Sequence, residues 1–242
     1  MGLCTDSVES FYESRRGSRM EWQMPGRPGL VLMHMQNGLA GSQTMLPNWG
    51  ADAAVAIKQS GMLNRIQDLL AAFRAKNLPV CFVNAHSTGS LGTVPMFGHI
   101  YKEMRAAGLE MDILHDEKTR YSLDVMPEMN RRPEEGVLIN WNLGAFTMSG
   151  LDIWLRLRGV DTIVFCGFAG HSVVYTSTLQ ACDLWYNVVI PRDATCVLVP
   201  RVTLPVGTDI AEVDKKVEEV VFDILAPTYA LVTSTDDVIQ HL

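Results

Sequence analysis

Three of the six histidines, His34, His86 and His171, stand beside amides or small residues at the ends of apolar runs. The clusters read His34, Gln36 and Asn37; Asn84 and His86; Asn140 and Asn142; and, after Gly167-Phe168-Ala169-Gly170, His171 and Ser172. An imidazole with an unperturbed pKa of about 6.5 exchanges protons near neutrality, and a side-chain amide can hold a carbonyl or an oxyanion. Such residues fit acid–base chemistry. Covalent routes have less support. The five cysteines (Cys4, Cys81, Cys166, Cys182, Cys196) form no CxxC pair, and no GxSxG nucleophile elbow is present. Zinc can be held by three histidines with an open fourth position. Here His34, His86 and His171 share no HxH or HxxxH spacing and lack a carboxylate companion, so no metal is expected. A dinucleotide fingerprint would need GxGxxG after the first strand, where only Gly38 and Gly41 occur, and no GxxxxGK[ST] exists. No cofactor is expected.

The elements that must position these residues alternate along the chain. Gly29–Met35 is a continuous apolar run set up by Pro28, as in a strand buried on both faces. From Asp52 to Asn77 the apolar stripe has helical spacing, with Gly61 as its one weak point. A second buried strand, Leu78–Asn84, completes a βαβ unit. Residues 85–135 are less regular, with a short helical pattern around Ile100–Ala107; long insertions at strand ends often shape a site. Strands are then expected at Val137–Asn140, Asp161–Gly167, Val188–Pro191 and Tyr229–Thr233, and helices at Gly150–Arg158, His171–Tyr186 and Ile210–Leu225. This alternation predicts an α/β fold: one domain over 28–242, with an open six-stranded parallel sheet and helices on both faces, preceded by an N-terminal arm at 1–27. Ligands bind such sheets beyond the carboxyl ends of the strands. The polar clusters named above leave those ends.

Composition narrows the partners. With 20 Lys+Arg against 27 Asp+Glu the net charge is −7, which argues against a nucleic-acid partner. Hydrophobic residues make up 48% and charged residues 19%, enough to fill a sizeable core. No apolar run approaches the roughly 20 residues of a membrane span, and the polar N-terminus lacks a signal peptide's apolar segment. Met1, Gly2 and Cys4 faintly resemble a lipidation signal, but Asp6 stands where Ser or Thr is needed. The expectation is a cytoplasmic protein with reduced thiols that meets neither membrane nor nucleic acid.

Leu32-Met33-His34-Met35-Gln36-Asn37-Gly38 resembles the "DMQND" strand end of the isochorismatase-like hydrolases, and Val137–Phe146 resembles their "K…SAF" segment. Gly167–Thr178 is similar to their "GxxTxxCVxxTA" turn and helix, and Val188–Ala194 follows where "vvxDA" belongs. The motifs occur in the right order over about residues 28 to 242. This resemblance implies a six-stranded parallel sheet, assembly into dimers or tetramers, and action on small amides or on a vinyl ether. It also implies an aspartate, a lysine and a cysteine nucleophile, and here the chain departs. Those three positions hold His34, Asn140 and Val173. The thioester route is therefore closed at Val173, and an Asp–Lys pair has become a neutral-capable His–Asn pair.

Two readings follow. In one, His34 is the general acid/base and Asn140 its catalytic partner, with Gln36, Asn37, His86, Trp141, Phe168, Ala169, Gly170, His171 and Val173 lining the substrate. The reaction is then a hydrolysis, or a lyase- or isomerase-type proton transfer, without a covalent intermediate. In the other, the pocket has drifted to residues that merely satisfy hydrogen bonds, and the protein is a silent family member that binds a metabolite or a partner. Trp141 and Phe168 are the aromatics closest to the strand ends; aromatic side chains elsewhere are more often core or interface. The Ala169–Gly170 step aligns with a turn that in relatives often carries a non-proline cis bond, and it is expected to face the pocket.

Overall fold

The computed structural model describes residues 23–41, 50–85, 121, 123–140, 142–199 and 204–242, the side chains of 50–53 apart. Strand β1 (Pro28–Met33) is buried along its whole length. It lies between β2 (Val80–Ala85) and β4 (Thr162–Phe168), parallel to both, with Leu30 opposite Val80 on one side and Val164 on the other. β3 (Gly136–Asn140) pairs with the outer edge of β2. Beyond β4 come β5 (Asn187–Pro191) and β7 (Leu231–Thr233), so the order is β3-β2-β1-β4-β5-β7. These six strands are the expected ones. A seventh, the two-residue β6 (Thr195–Cys196), pairs with the end of β4; two residues are too short to show a period in sequence.

Alternation along the strands divides the core. Leu30, Leu32, Phe82, Val164 and Cys166 face one layer, where helix α2 (Met62–Ala75) supplies Met62, Ile66, Leu69, Leu70 and Phe73 and the short α6 (Thr235–Gln240) supplies Val238. Val31, Met33, Cys81, Val83, Ile163 and Phe165 face the other, against α3 (Leu151–Arg156), α4 (Tyr175–Asp183) and α5 (Ile210–Leu225). A fully buried side chain of this size contributes roughly 1.5–3 kcal/mol. That sum fixes which faces turn inward. α6 was not anticipated from sequence: its six residues span under two turns. It is held from outside, by Ser234 Oγ accepting from Asp237 N and by Asp193, whose carboxylate accepts from the Thr235 amide and hydroxyl at 2.8 and 2.9 Å.

Two helical expectations are corrected. The helix expected over Asp52–Asn77 is two, α1 (Gly50–Gln59) and α2, because Gly61 adopts φ 75°, a conformation no helix interior accepts. The helix expected over His171–Tyr186 begins instead as one π turn at Gly170–Val174, continues as α4, and stops at Asp183. Of the expected arm, residues 1–22 lie outside the described residues, as does the helix expected around Ile100–Ala107.

The chain winds outward from β1 through β2 to β3, then returns to start β4 on β1's other flank. Strand order therefore reverses between β1 and β4. That is where an open parallel sheet leaves a crevice beyond its carboxyl edge.

Candidate functional site

His34, the first residue past β1, turns out of the strand with φ 53°, while its amide still donates to Val83 O at 2.8 Å. The strand thus ends at Met33, two residues earlier than the apolar run implies. His34 Nε2 lies 3.2 Å from Oδ1 of Asn140, the last residue of β3. Because β2 separates β1 from β3, the contact spans the end of the intervening strand, where Asn140 stands opposite Ala85. Asn140 Nδ2 donates to Asn142 O at 2.8 Å. That second bond turns the amide so that its oxygen meets the ring. An oxygen acceptor requires Nε2 to carry the proton, leaving the Nδ1 lone pair free to accept one.

Burial lowers the His34 pKa to about 4, outweighing the opposite pull of the Asn140 hydrogen bond. The ring is therefore neutral near pH 7. In that form it has no imidazolium proton to donate, and the same burial that keeps it neutral makes it a weak base.

Gln36 and Asn37 are fully or almost fully buried, and their amides are engaged with backbone. Gln36 accepts from Ala85 N at 2.6 Å and donates to Ala85 O at 3.0 Å, clamping the end of β2 to the turn after β1. Asn37 donates to Tyr121 O at 3.1 Å, and its own amide reaches Asp124 O. With the antiparallel bridge between Gln36 and Val125, these bonds bind segment 123–126 against residues 35–37. Both side chains thus build the frame of the site. Asn84, on the strand-end list but given no role from sequence, is fully buried; it donates to Leu123 O at 2.7 Å and leaves Oδ1 without a partner. An unsatisfied buried acceptor costs about 1–3 kcal/mol. Its signal in sequence was only a polar residue ending an apolar strand.

On the other flank of β1 stands the end of β4. Gly167 adopts φ 107°, and a Cβ there would overlap the Met33 carbonyl oxygen, so glycine lets β4 close onto β1 at the crevice. The cis bond lies at Phe168–Ala169, one step before the expected position. Phe168 and Ala169 are buried in the core layer facing α2, and Val173 is fully buried in the layer facing α4. In the π turn, Ser172 N and Val174 N donate to Ala169 O, and Gly170 packs against Val197. His171 is partly buried with Nδ1 unpartnered, and burial lowers its pKa. Helix α4 then fixes the loop after β3: Thr176 Oγ1 donates to Leu143 O, Ser177 Oγ accepts from Ala145 N, and Gln180 Oε1 accepts from Phe146 N. The structure therefore unites His34 and Asn140 directly. His86 and Trp141 lie outside the described residues.

No described cysteine stands in the 170–174 turn. Burial pushes the thiols of Cys81 and Cys196 up to about 12 and that of Cys166 higher, which makes each a poor nucleophile. Among the described residues, no three His, Cys, Asp or Glu side chains gather as a metal ion would require.

Residues 28–201 match the isochorismatase domain. The chain belongs to the isochorismatase family. Isochorismatase family protein YecD of Escherichia coli O157:H7 is 28% identical over 55% of this chain, a match spanning 65% of that relative and so just under two thirds of its length. Ureidoacrylate amidohydrolase RutB of Pseudomonas syringae pv. syringae is 24% identical over 71% of each chain. Among solved structures, a cysteine hydrolase from Pseudomonas syringae pv. phaseolicola superposes with a TM-score of 0.67 at 20% identity, over 89% of this chain and 92% of its own. That likeness speaks for the α/β fold alone.

Proposed function

We propose that this isochorismatase-family chain is a hydrolase-like enzyme acting on a small organic metabolite by non-covalent chemistry, with His34 as general base and Asn140 fixing its tautomer. The observation that carries the reading is the 3.2 Å contact between His34 Nε2 and Asn140 Oδ1 at the carboxyl edge of the sheet. The neutral ring presents Nδ1 to activate water or to remove a substrate proton. Position 173 supplies no nucleophile, and the buried described thiols are held protonated. The amidohydrolase relative makes small ureides and amides the first substrates to test. His171 follows the end of β4 with a buried, unpartnered Nδ1, and on this reading a substrate polar group would be its partner once the turn admits one.

Turnover of a panel of small amides and ureides, ureidoacrylate included, tests this. Hydrolysis is expected to survive thiol alkylation and to fall by at least about 10²-fold in His34→Ala, the lower range for loss of a general base. Full activity in His34→Ala, or complete loss on alkylating a single cysteine, would sink the proposal. An inert wild-type protein that still binds members of the panel would instead support the silent, metabolite-binding reading.

We also propose that the chain works in the cytoplasm as a dimer or tetramer. Its described cysteines are free thiols, and Trp185, Leu157 and Ile153, 92%, 79% and 66% exposed, are apolar side chains that a second copy would cover. No helix among the described residues is long and apolar enough to cross a membrane. Sedimentation velocity should give a mass of two or four chains; a monomer at micromolar concentration would refute assembly.

A further inference from the structure

The opposite edge of the sheet carries a second feature. Below the amino ends of β1, β2 and β3 lies a cavity of about 310 Å³, lined among others by Arg27, Arg74, Arg132, Arg158, Glu134 and Trp154. A chain with a net charge of −7 thus gathers four of its arginines around one opening. Their pairing differs. Arg74 is neutralised by Glu135, to which it donates from Nε at 2.6 Å and from Nη2 at 2.9 Å. Glu135 also accepts from the Arg132 amide, so this carboxylate is fully engaged. The guanidinium groups of Arg27, Arg132 and Arg158 have no carboxylate within ion-pairing distance among the described residues. Arg158 lies 4.0 Å over the Trp154 ring and donates to Trp154 O, which holds it at the rim. Arg27 is fixed through its backbone, its amide donating to Asp161 Oδ1 at 2.6 Å and its carbonyl accepting from Asp161 N and Thr162 N. Glu134 and the Asp161 carboxylate are the anions left nearby.

We infer that this cavity is a binding site for a compact polyanion, a phosphorylated or polycarboxylate metabolite, held by Arg27, Arg132 and Arg158. Guanidinium forks match phosphate and carboxylate oxygens two at a time, and arginine is less strongly hydrated than lysine. The volume lies at the low end for small-ligand sites. Six residues of strand separate it from His34, about 20 Å, so its ligand does not touch the proposed catalytic pair. The inference is independent of that pair's chemistry.

Titration calorimetry at low ionic strength tests it with two probes, pyrophosphate and citrate, whose relative affinities separate the phosphoryl and carboxylate sources. Sub-millimolar binding of at least one probe is expected, weakened about tenfold or more in Arg27→Gln, in Arg132→Gln and in Arg158→Gln, and unchanged in Lys58→Gln on α1. These side chains are exposed, so the variants should fold; circular dichroism verifies that. Absence of binding by both probes, or equal affinity in all four variants, would overturn the assignment.

Discussion

His34 owes its character to three local facts: a left-handed backbone, a hydrogen bond to an amide already oriented by Asn142, and burial. Histidine is among the non-glycine residues that tolerate positive φ, which helps explain its place at this strand end. Its titration also bears on stability. Between pH 6.5 and about 4 the unfolded chain binds a proton at this position that the folded chain does not, so acidification favours unfolding. The stabilisation present above pH 6.5 is lost as pH falls through that window. Urea denaturation from pH 7 to pH 4 should show a steeper loss of unfolding free energy in the wild type than in His34→Gln. Identical slopes would mean that the folded ring protonates as freely as the unfolded one.

At the level of elements, the carboxyl edge of the sheet depends on how closely β4 approaches β1. Gly167 is the contact that permits it, with a positive φ and its missing Cβ opposite the Met33 carbonyl. Gly167→Ala combines backbone strain with steric overlap and should destabilise the protein by at least about 2 kcal/mol, read as a lower urea midpoint with little change in slope. A midpoint within error of the wild type would show that the two strands can separate cheaply. The same logic explains the broken helix: the apolar stripe of 52–77 continues through the break, but the left-handed Gly61 interrupts the backbone and splits α1 from α2. Hydrophobic spacing reports which face is buried. It does not report continuity of the hydrogen-bond ladder.

Across the whole molecule, Arg74 links distant pieces. From α2 it bonds Glu135 before β3 and the carbonyls of Met129 and Asn130, with both side chains of the ion pair largely buried. Removing one partner leaves a buried charge uncompensated. Arg74→Ala should therefore cost about 3–5 kcal/mol, whereas Arg74→Met combined with Glu135→Leu should recover most of it. Thermal unfolding of both variants tests this; equal losses would show that the arginine's carbonyl bonds, rather than its charge pairing, hold the segment.

The alternation of buried runs and amphipathic stripes was enough to determine six strands, the parallel α/β fold and α5 to the residue, because both periods follow from burying one face of a strand or helix. The ordered motifs pointed to the family, and strand-end logic nominated His34 and Asn140. Only the tertiary structure decided that these two meet, 106 positions apart, since a contact across an intervening strand depends on sheet order and register. It likewise decided that Gln36 and Asn37 spend their amides on the backbone, that Asn84 keeps a buried unpartnered oxygen, and that burial lowers the pKa of His34. Residue type sets what a side chain can do, and the neighbours that folding brings to it set which of those capacities remains.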